Sequence, residues 1–140
     1  PEATAETITD GWLHTGDIAY MDADDFIHLV DRAKEMVLRG GENVYCAEVE
    51  SAIFADDAVA ECVVFGVEDE RLGEEVAAAI YPKPGATVDV DALRKSLRDK
   101  MASYKIPRYI WVVGAPLPRN ANGKFVKREV RDALALADAL

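Results

Sequence analysis

The sequence is poor in the residues that build metal or disulfide frameworks. Its two cysteines, Cys46 and Cys62, stand sixteen apart with no Cys-x-x-Cys pair, so neither a zinc site nor a disulfide scaffold is implied. A reduced, cytoplasmic protein is the expectation. His14 and His28 are too far apart to form a metal pair and read as ordinary strand residues. No apolar run approaches the roughly 20 residues of a membrane span, and no basic-then-apolar signal pattern opens the chain. A Walker phosphate cradle is excluded, because Gly123-Lys124 is followed by Phe125 and Pro118 stands where the first glycine belongs. There is no Gly-x-Ser-x-Gly elbow, and Ser51, Ser96 and Ser103 have no implied base beside them. Asp22-Ala23-Asp24-Asp25 lacks the glycine and the later glutamate of a calcium loop, so it reads as a hairpin turn. No internal repeat is visible. The first residue is Pro1 rather than Met, as expected of a cleaved or excised segment.

Basic residues are scarce in one part of the chain only. Residues 1–90 hold 5 Lys+Arg against 21 Asp+Glu, whereas residues 91–140 hold 11 against 5. The acidic body disfavours nonspecific nucleic-acid binding, which needs a broad basic surface. The basic C-terminal stretch suits a small polyanion such as a nucleotide or coenzyme A, or is simply a solvated mixed-charge surface. With 140 residues, 50% hydrophobic and 30% charged, the chain has the material for one core.

Thr4 to Gly11 reads as polar loop. Strands are expected over about Asp17–Met21 and Phe26–Val30, with Asp31–Lys34 as a connector and Glu35–Leu38 as a short strand. A helix is expected over Ala47–Ala55, where Val49 and Ile53 lie four apart. The apolar runs Glu61–Val67 and Glu75–Tyr81 read as sheet strands, and Pro82-Lys83-Pro84-Gly85 ends the second. Asp89 is placed to cap a helix that buries Val90, Leu93, Leu97 and Met101. Tyr109–Val113 is a further strand, Gly114–Asn122 a loop, and a last helix starts near Val126. Strands and helices without strict alternation argue an α+β fold, a small mixed sheet with packed helices.

Several short motifs carry candidate chemistry. Lys124 follows a glycine at the tip of Pro116-Leu117-Pro118-Arg119-Asn120-Ala121-Asn122-Gly123. An ammonium there is either solvated or able to approach a crowded anion, where its charge counts most if water is excluded. Asp17, after Thr15-Gly16, is either a turn-stabilising carboxylate or an acceptor for ribose hydroxyls. Arg32 is a possible surface partner of Asp31, and Lys34 an exposed linker residue. Arg39-Gly40-Gly41-Glu42-Asn43 has the glycines of a tight hairpin, and they also let backbone approach a thin ligand. Lys127, Arg128 and Arg131 read as exposed charges, with polyphosphate contact as the alternative because cations at a helix start oppose its dipole.

In this order, the motifs resemble the C-terminal part of adenylate-forming enzymes: acyl- and aryl-coenzyme A ligases, peptide-synthetase adenylation domains and luciferases. The resemblance runs from Pro1 to the last helix. It implies that residues 1–30 are the tail end of a large N-terminal adenylating domain, contributing a β-hairpin, that 31–34 are a hinge, and that 35–140 are a mobile lid. It implies that Lys124 contacts the acid's carboxylate and the nucleotide phosphate during adenylation, that Asp17 binds the ribose, and that Arg32 lies near ribose and phosphates. Lys34 falls at the hinge. Arg39, Gly40, Gly41 and Glu42 would border the pantetheine tunnel, and the Gly-Gly-Glu-Asn wording is closer to coenzyme A ligases than to peptide-synthetase domains. Cys46, Arg39 and Asp25 depart from the family's common Pro, Ser and Gly. The implied reactants are ATP with Mg2+, a carboxylic acid and coenzyme A, with no resident metal, no nucleic acid and no membrane span. By the same resemblance, the acid pocket and phosphate loop belong to the N-terminal domain of the same polypeptide, and the chain alone is expected to be inactive. The rival readings are an adenylation domain that loads a carrier protein and a non-catalytic binding module that kept the fold.

Overall fold

The computed structural model describes residues 2–135 and 138–140, apart from the side chain of residue 3. It opens with a short helix, α1 (Glu2–Thr7), where the sequence reads as loop, and continues into β1 (Ile8–Thr9) and β2 (Trp12–Leu13). Asp10 and Gly11 join these two strands at φ 52° and 82°. The turn matches the positive-φ chemistry of an Asp-Gly hairpin, a local signal that the loop expectation overlooked.

The next hairpin is β3 (Asp17–Met21) with β4 (Ile27–Arg32), which runs two residues past the expected end and so sets Arg32 opposite Asp17. Its turn is fastened by Asp22, whose Oδ1 accepts from the Asp24 and Phe26 amides at 2.9 and 3.0 Å. Little of this hairpin is covered. Phe26, Ile27 and Leu29 are exposed, as is Trp12 beside it at 77%.

The rest of the chain builds one mixed sheet. It comprises β5 (Val37–Arg39), β6 (Glu42–Val44), the long hairpin β7 (Val59–Asp69) and β8 (Gly73–Pro82), and β9 (Tyr109–Val112), with α2 (Cys46–Ile53) between β6 and β7, α3 (Val90–Arg98) before β9, and α4 (Lys127–Asp132) after it. The order is β6-β5-β8-β7, and β9 runs parallel to β8 along Ala77–Ile80. Since β7 pairs β8 along its length, β5 and β9 share the other side of β8. The start of β5 differs from the expected Glu35 because the Arg32 carbonyl accepts from both the Glu35 and Met36 amides, at 3.0 and 3.1 Å, and keeps them in a turn.

Residue parity along β7 and β8 divides the interior in two, as the period of a strand requires. Cys62, Val64, Val76, Ala78 and Ile80 pack with Val49 and Ile53 of α2 and Leu93 and Leu97 of α3. Val63, Phe65, Val67, Ala77 and Ala79 pack with Trp111, Leu117, Phe125 and Val130 on the other face. Both faces are covered, which is why the two strands read as unbroken apolar runs. Asp89 caps α3 as expected, its Oδ1 accepting from the Ala92 amide at 3.0 Å. Among the described residues no helix is long and apolar enough to cross a membrane.

The two layers meet at the open edge of β7. The Val64 amide donates to Glu50 Oε1 of α2 at 2.8 Å, and the Lys127 ammonium of α4 approaches that oxygen at 2.9 Å and Glu35 Oε2 at 3.1 Å. Lys127 is therefore a half-buried structural cation, 20% exposed, rather than the solvated charge or polyphosphate ligand read from sequence. Burial favours its neutral form, yet the ammonium is held above its ordinary value. Cys46 nearby is pushed up to about 12 by burial and stays a neutral thiol at pH 7, so Glu50 and Glu35 supply that stabilisation.

Candidate functional site

Asp17 opens β3 immediately after the Gly16 turn, and its amide donates to Thr15 Oγ1 at 3.2 Å. Across the hairpin Arg32 Nε pairs with Asp17 Oδ1 at 2.8 Å, and Arg32 Nη1 donates to the Thr15 carbonyl at 2.9 Å. Asp17, not Asp31, is thus the partner of Arg32. The Asp31 carboxylate accepts from the backbone amides of Arg32 and Ala47 instead. The hairpin is tied to the following turn by the Ala33 amide, which donates to the Gly16 carbonyl at 2.8 Å.

Lys34 lies exposed in that turn. Lys124 lies exposed on a distant loop, whose geometry Asn120 organises: Asn120 Oδ1 accepts from the Asn122 and Lys124 amides, both at 3.0 Å, and the Asn120 amide donates to the Lys124 carbonyl at 2.8 Å. Gly123 takes φ 79°, a conformation that gives glycine its advantage before the lysine. The folding of the chain brings these pieces to one cleft of about 550 Å³, whose lining includes Thr15, Gly16, Arg32, Lys34 and Lys124. Three cations from two separate segments, residues 32–34 and residue 124, converge there beside Glu6 and Glu35, and the excess of positive charge favours a phosphate or carboxylate. His14 joins the same wall just beyond β2, outside any strand, a placement that sequence reading missed.

Arg39, Gly40, Gly41 and Glu42 are placed elsewhere. Gly40 and Gly41 take φ 57° and 89° in a two-residue turn between β5 and β6, the geometry that such tight hairpins prefer. The Gly40 amide donates to the Leu72 carbonyl at 2.8 Å, and a Cβ on Gly41 would meet nothing within 4 Å. Arg39 forks onto Glu75, a carboxylate only 1% exposed, with Nη2 to Oε2 at 3.0 Å and Nε on the other oxygen. The bond to Glu75 holds the guanidinium above its ordinary value against the opposing pull of burial. Arg39, Arg94, Arg98 and Arg108 together line a groove of about 690 Å³. Neither Glu75 nor Glu61, the partner of Arg119 at 3.0 Å, was marked by the sequence, because nothing local identifies a partner 36 or 58 residues away.

Among the described residues no group of three or more His, Cys, Asp or Glu is gathered to hold a metal. Both cysteines are free and buried.

The sequence profile of the AMP-binding enzyme C-terminal domain matches residues 48–124. The chain belongs to that family, as its motifs imply. It is 45% identical over 131 residues to a feruloyl-CoA synthase of Amycolatopsis sp, spanning 94% of this chain and 26% of that protein. It is 44% identical over 133 residues to the fatty acid–[acyl-carrier-protein] ligase ScoC of Streptomyces coeruleorubidus, with 94% and 25% covered. The o-succinylbenzoate CoA synthetase of Bacillus subtilis, solved with its acyl-adenylate intermediate, superposes with a TM-score of 0.84 at 36% identity, over 92% of this chain and 26% of that one. The chain therefore spans about a quarter of the length of these relatives.

Proposed function

We propose that this chain serves as the C-terminal lid of an AMP-forming acid–coenzyme A ligase acting on a fatty or aryl acid. The observation that carries the reading is the convergence of Arg32, Lys34 and Lys124 on one cleft. In the first half-reaction an oxygen of the acid's carboxylate attacks the α-phosphorus of ATP and pyrophosphate leaves, giving the acyl-adenylate. Negative charge is crowded together in that step, and Lys124 is the exposed cation that contacts carboxylate and phosphate. Asp17 accepts from the ribose hydroxyls and Arg32, fixed on Asp17, lies by ribose and phosphate. Mg2+ would come with ATP as its counter-ion, and the cleft's cations suit the phosphates of that complex.

In the second half-reaction the lid, residues 35–140, rotates about the hinge at 31–34 relative to residues 1–30 and the larger adenylating domain. Lys34 absorbs the rotation. The coenzyme A thiol then attacks the acyl carbon past Gly40 and Gly41, and AMP leaves. The open space around Gly41 suits a thin pantetheine arm, and Arg98 and Arg108, in the groove that Arg39 also lines, suit coenzyme A's phosphates. The exposed apolar side chains of Trp12, Ile27 and Leu29 fit burial against the larger domain. Two free, buried thiols fit a reducing, cytoplasmic setting.

A carrier-protein acceptor is the second reading, favoured by the likeness to an acyl-carrier-protein ligase. The test takes the complete polypeptide with ATP, Mg2+ and a panel of fatty and aryl acids. Acid-dependent ATP–pyrophosphate exchange that needs no thiol, followed by thioester release on adding coenzyme A, is expected. Exchange with transfer only to a carrier protein selects the second reading, and absence of exchange with every acid overturns both.

A further inference from the structure

The loop that carries Lys124 has buried feet and an exposed tip. Leu117 and Phe125 pack into the second apolar cluster, while residues 119–124 are exposed. One side chain spans the tip. Arg119 Nη1 donates to the Gly123 carbonyl at 2.8 Å, and its guanidinium lies 3.8 Å from the centroid of the Phe125 ring. It thereby touches the residue before Lys124 and the residue after it. Its Nη2 is seated on Glu61 Oε1 of β7 at 3.0 Å, and the other oxygen of Glu61 accepts from the Leu117 amide at 2.7 Å. A single carboxylate on the central hairpin so fixes the foot of the loop and, through Arg119, both neighbours of the lysine.

The arrangement gives little to stability, because Arg119 is 44% exposed and an ion pair of that kind is weak in water. It does, however, need a planar fork that bonds in two directions while stacking on a ring, which an ammonium cannot reproduce. We propose that Arg119, seated on Glu61, is a positioning residue that sets the direction of Lys124 for adenylation. The inference rests on the adenylation role given to Lys124 above. Arg119 acts only through Lys124, so it matters in one half-reaction and only while the lysine is present.

The test measures the complete polypeptide in two assays, ATP–pyrophosphate exchange and thioester formation from preformed acyl-adenylate. Arg119→Ala and Arg119→Lys are each made with and without Lys124→Ala, and Glu61→Gln is added as a milder change that keeps an acceptor for the Leu117 amide. Misplacing a reacting group by about 1 Å costs up to about 100-fold, so Arg119→Ala is expected to lower the exchange kcat about 10- to 100-fold with the KM for ATP nearly unchanged. Arg119→Lys recovers less than half of that loss, and Glu61→Gln shows a smaller loss of the same kind. Thioester formation stays at the wild-type rate in all of them, and Arg119→Ala costs nothing further once Lys124 is alanine. Equal losses in both half-reactions, an undiminished loss in the Lys124→Ala background, or no loss at all would overturn the proposal while the ligase reading stands. If Lys124→Ala leaves exchange untouched, the role of Lys124 in that reading falls and the positioning role falls with it.

Discussion

The Arg39–Glu42 turn and the Arg119–Phe125 loop are assembled from the same parts and end as different devices. Each has an arginine held by a glutamate of the long hairpin, Glu75 on β8 or Glu61 on β7, and each has positive-φ glycine at its tip. In the turn the guanidinium is absorbed by the fold, because Glu75 is shut away from water and takes two of its donors. What projects is bare backbone, Gly40-Gly41, with open space beside it. In the loop the guanidinium stays half in solvent and reaches across the tip, and what projects is an ammonium. A buried acid makes its arginine part of the scaffold, whereas an accessible one leaves its arginine free to shape a loop.

The largest stability difference expected between the two regions comes from removing each glutamate. Glu75→Ala leaves the Arg39 guanidinium half-buried without its partner, and breaking such a pair costs about 3–5 kcal/mol. Glu61→Ala should cost less, about 1–2 kcal/mol, because Arg119 regains water and only the Leu117 amide loses its acceptor. Urea unfolding of the two variants checks this, and similar losses would mean that the two arginines are held alike.

Lys127 extends the comparison, since it anchors the far side of the Lys124 loop to Glu35 and Glu50. Lys127→Met should cost about 2 kcal/mol, the worth of hydrogen bonds to charged groups. The ammonium is raised above its ordinary 10.5, so its contribution is complete below that value and fades only as pH climbs through the higher folded one. Unfolding measured at pH 7 and pH 9 should therefore show the same loss. A loss that vanishes by pH 9 would mean that the amine is neutral there.

A smaller effect is expected at the glycines. Gly41→Ala and Gly123→Ala meet no neighbour within 4 Å, so only the positive φ is penalised, at about 1–2 kcal/mol each. The smallest concerns Cys46, whose burial raises it to about 12. Its alkylation at pH 8 should be undetectable over a time that fully labels the unfolded chain, as mass measurement would report.

The strand from Asp17 to Met21, the Asp89 cap, the Gly40-Gly41 turn and the central apolar strands were legible because each is written in neighbouring residues. The same holds for the Gly-Lys tip. The partners were not legible. Glu75, Glu61 and Glu50 look like ordinary acidic residues until the hairpin and the edge of β7 set them against cations far along the chain. Lys127 was misjudged for that reason, and β5 began later than expected because a single carbonyl of Arg32 captured two amides. The cleft itself joins segments around residues 16, 34 and 124, a closeness that no local pattern encodes.

In the proposed function the Lys124 loop serves one half-reaction and the Gly40-Gly41 turn the other. The most direct test measures Lys124→Ala and Gly41→Val side by side in the complete polypeptide, by pyrophosphate exchange and by thioester formation from preformed adenylate. A crossed result is predicted: Lys124→Ala loses exchange by about 100- to 1,000-fold, the usual cost of removing one charge-stabilising donor, and keeps thioester formation, while Gly41→Val does the reverse. Both variants failing in the same half-reaction would contradict the account.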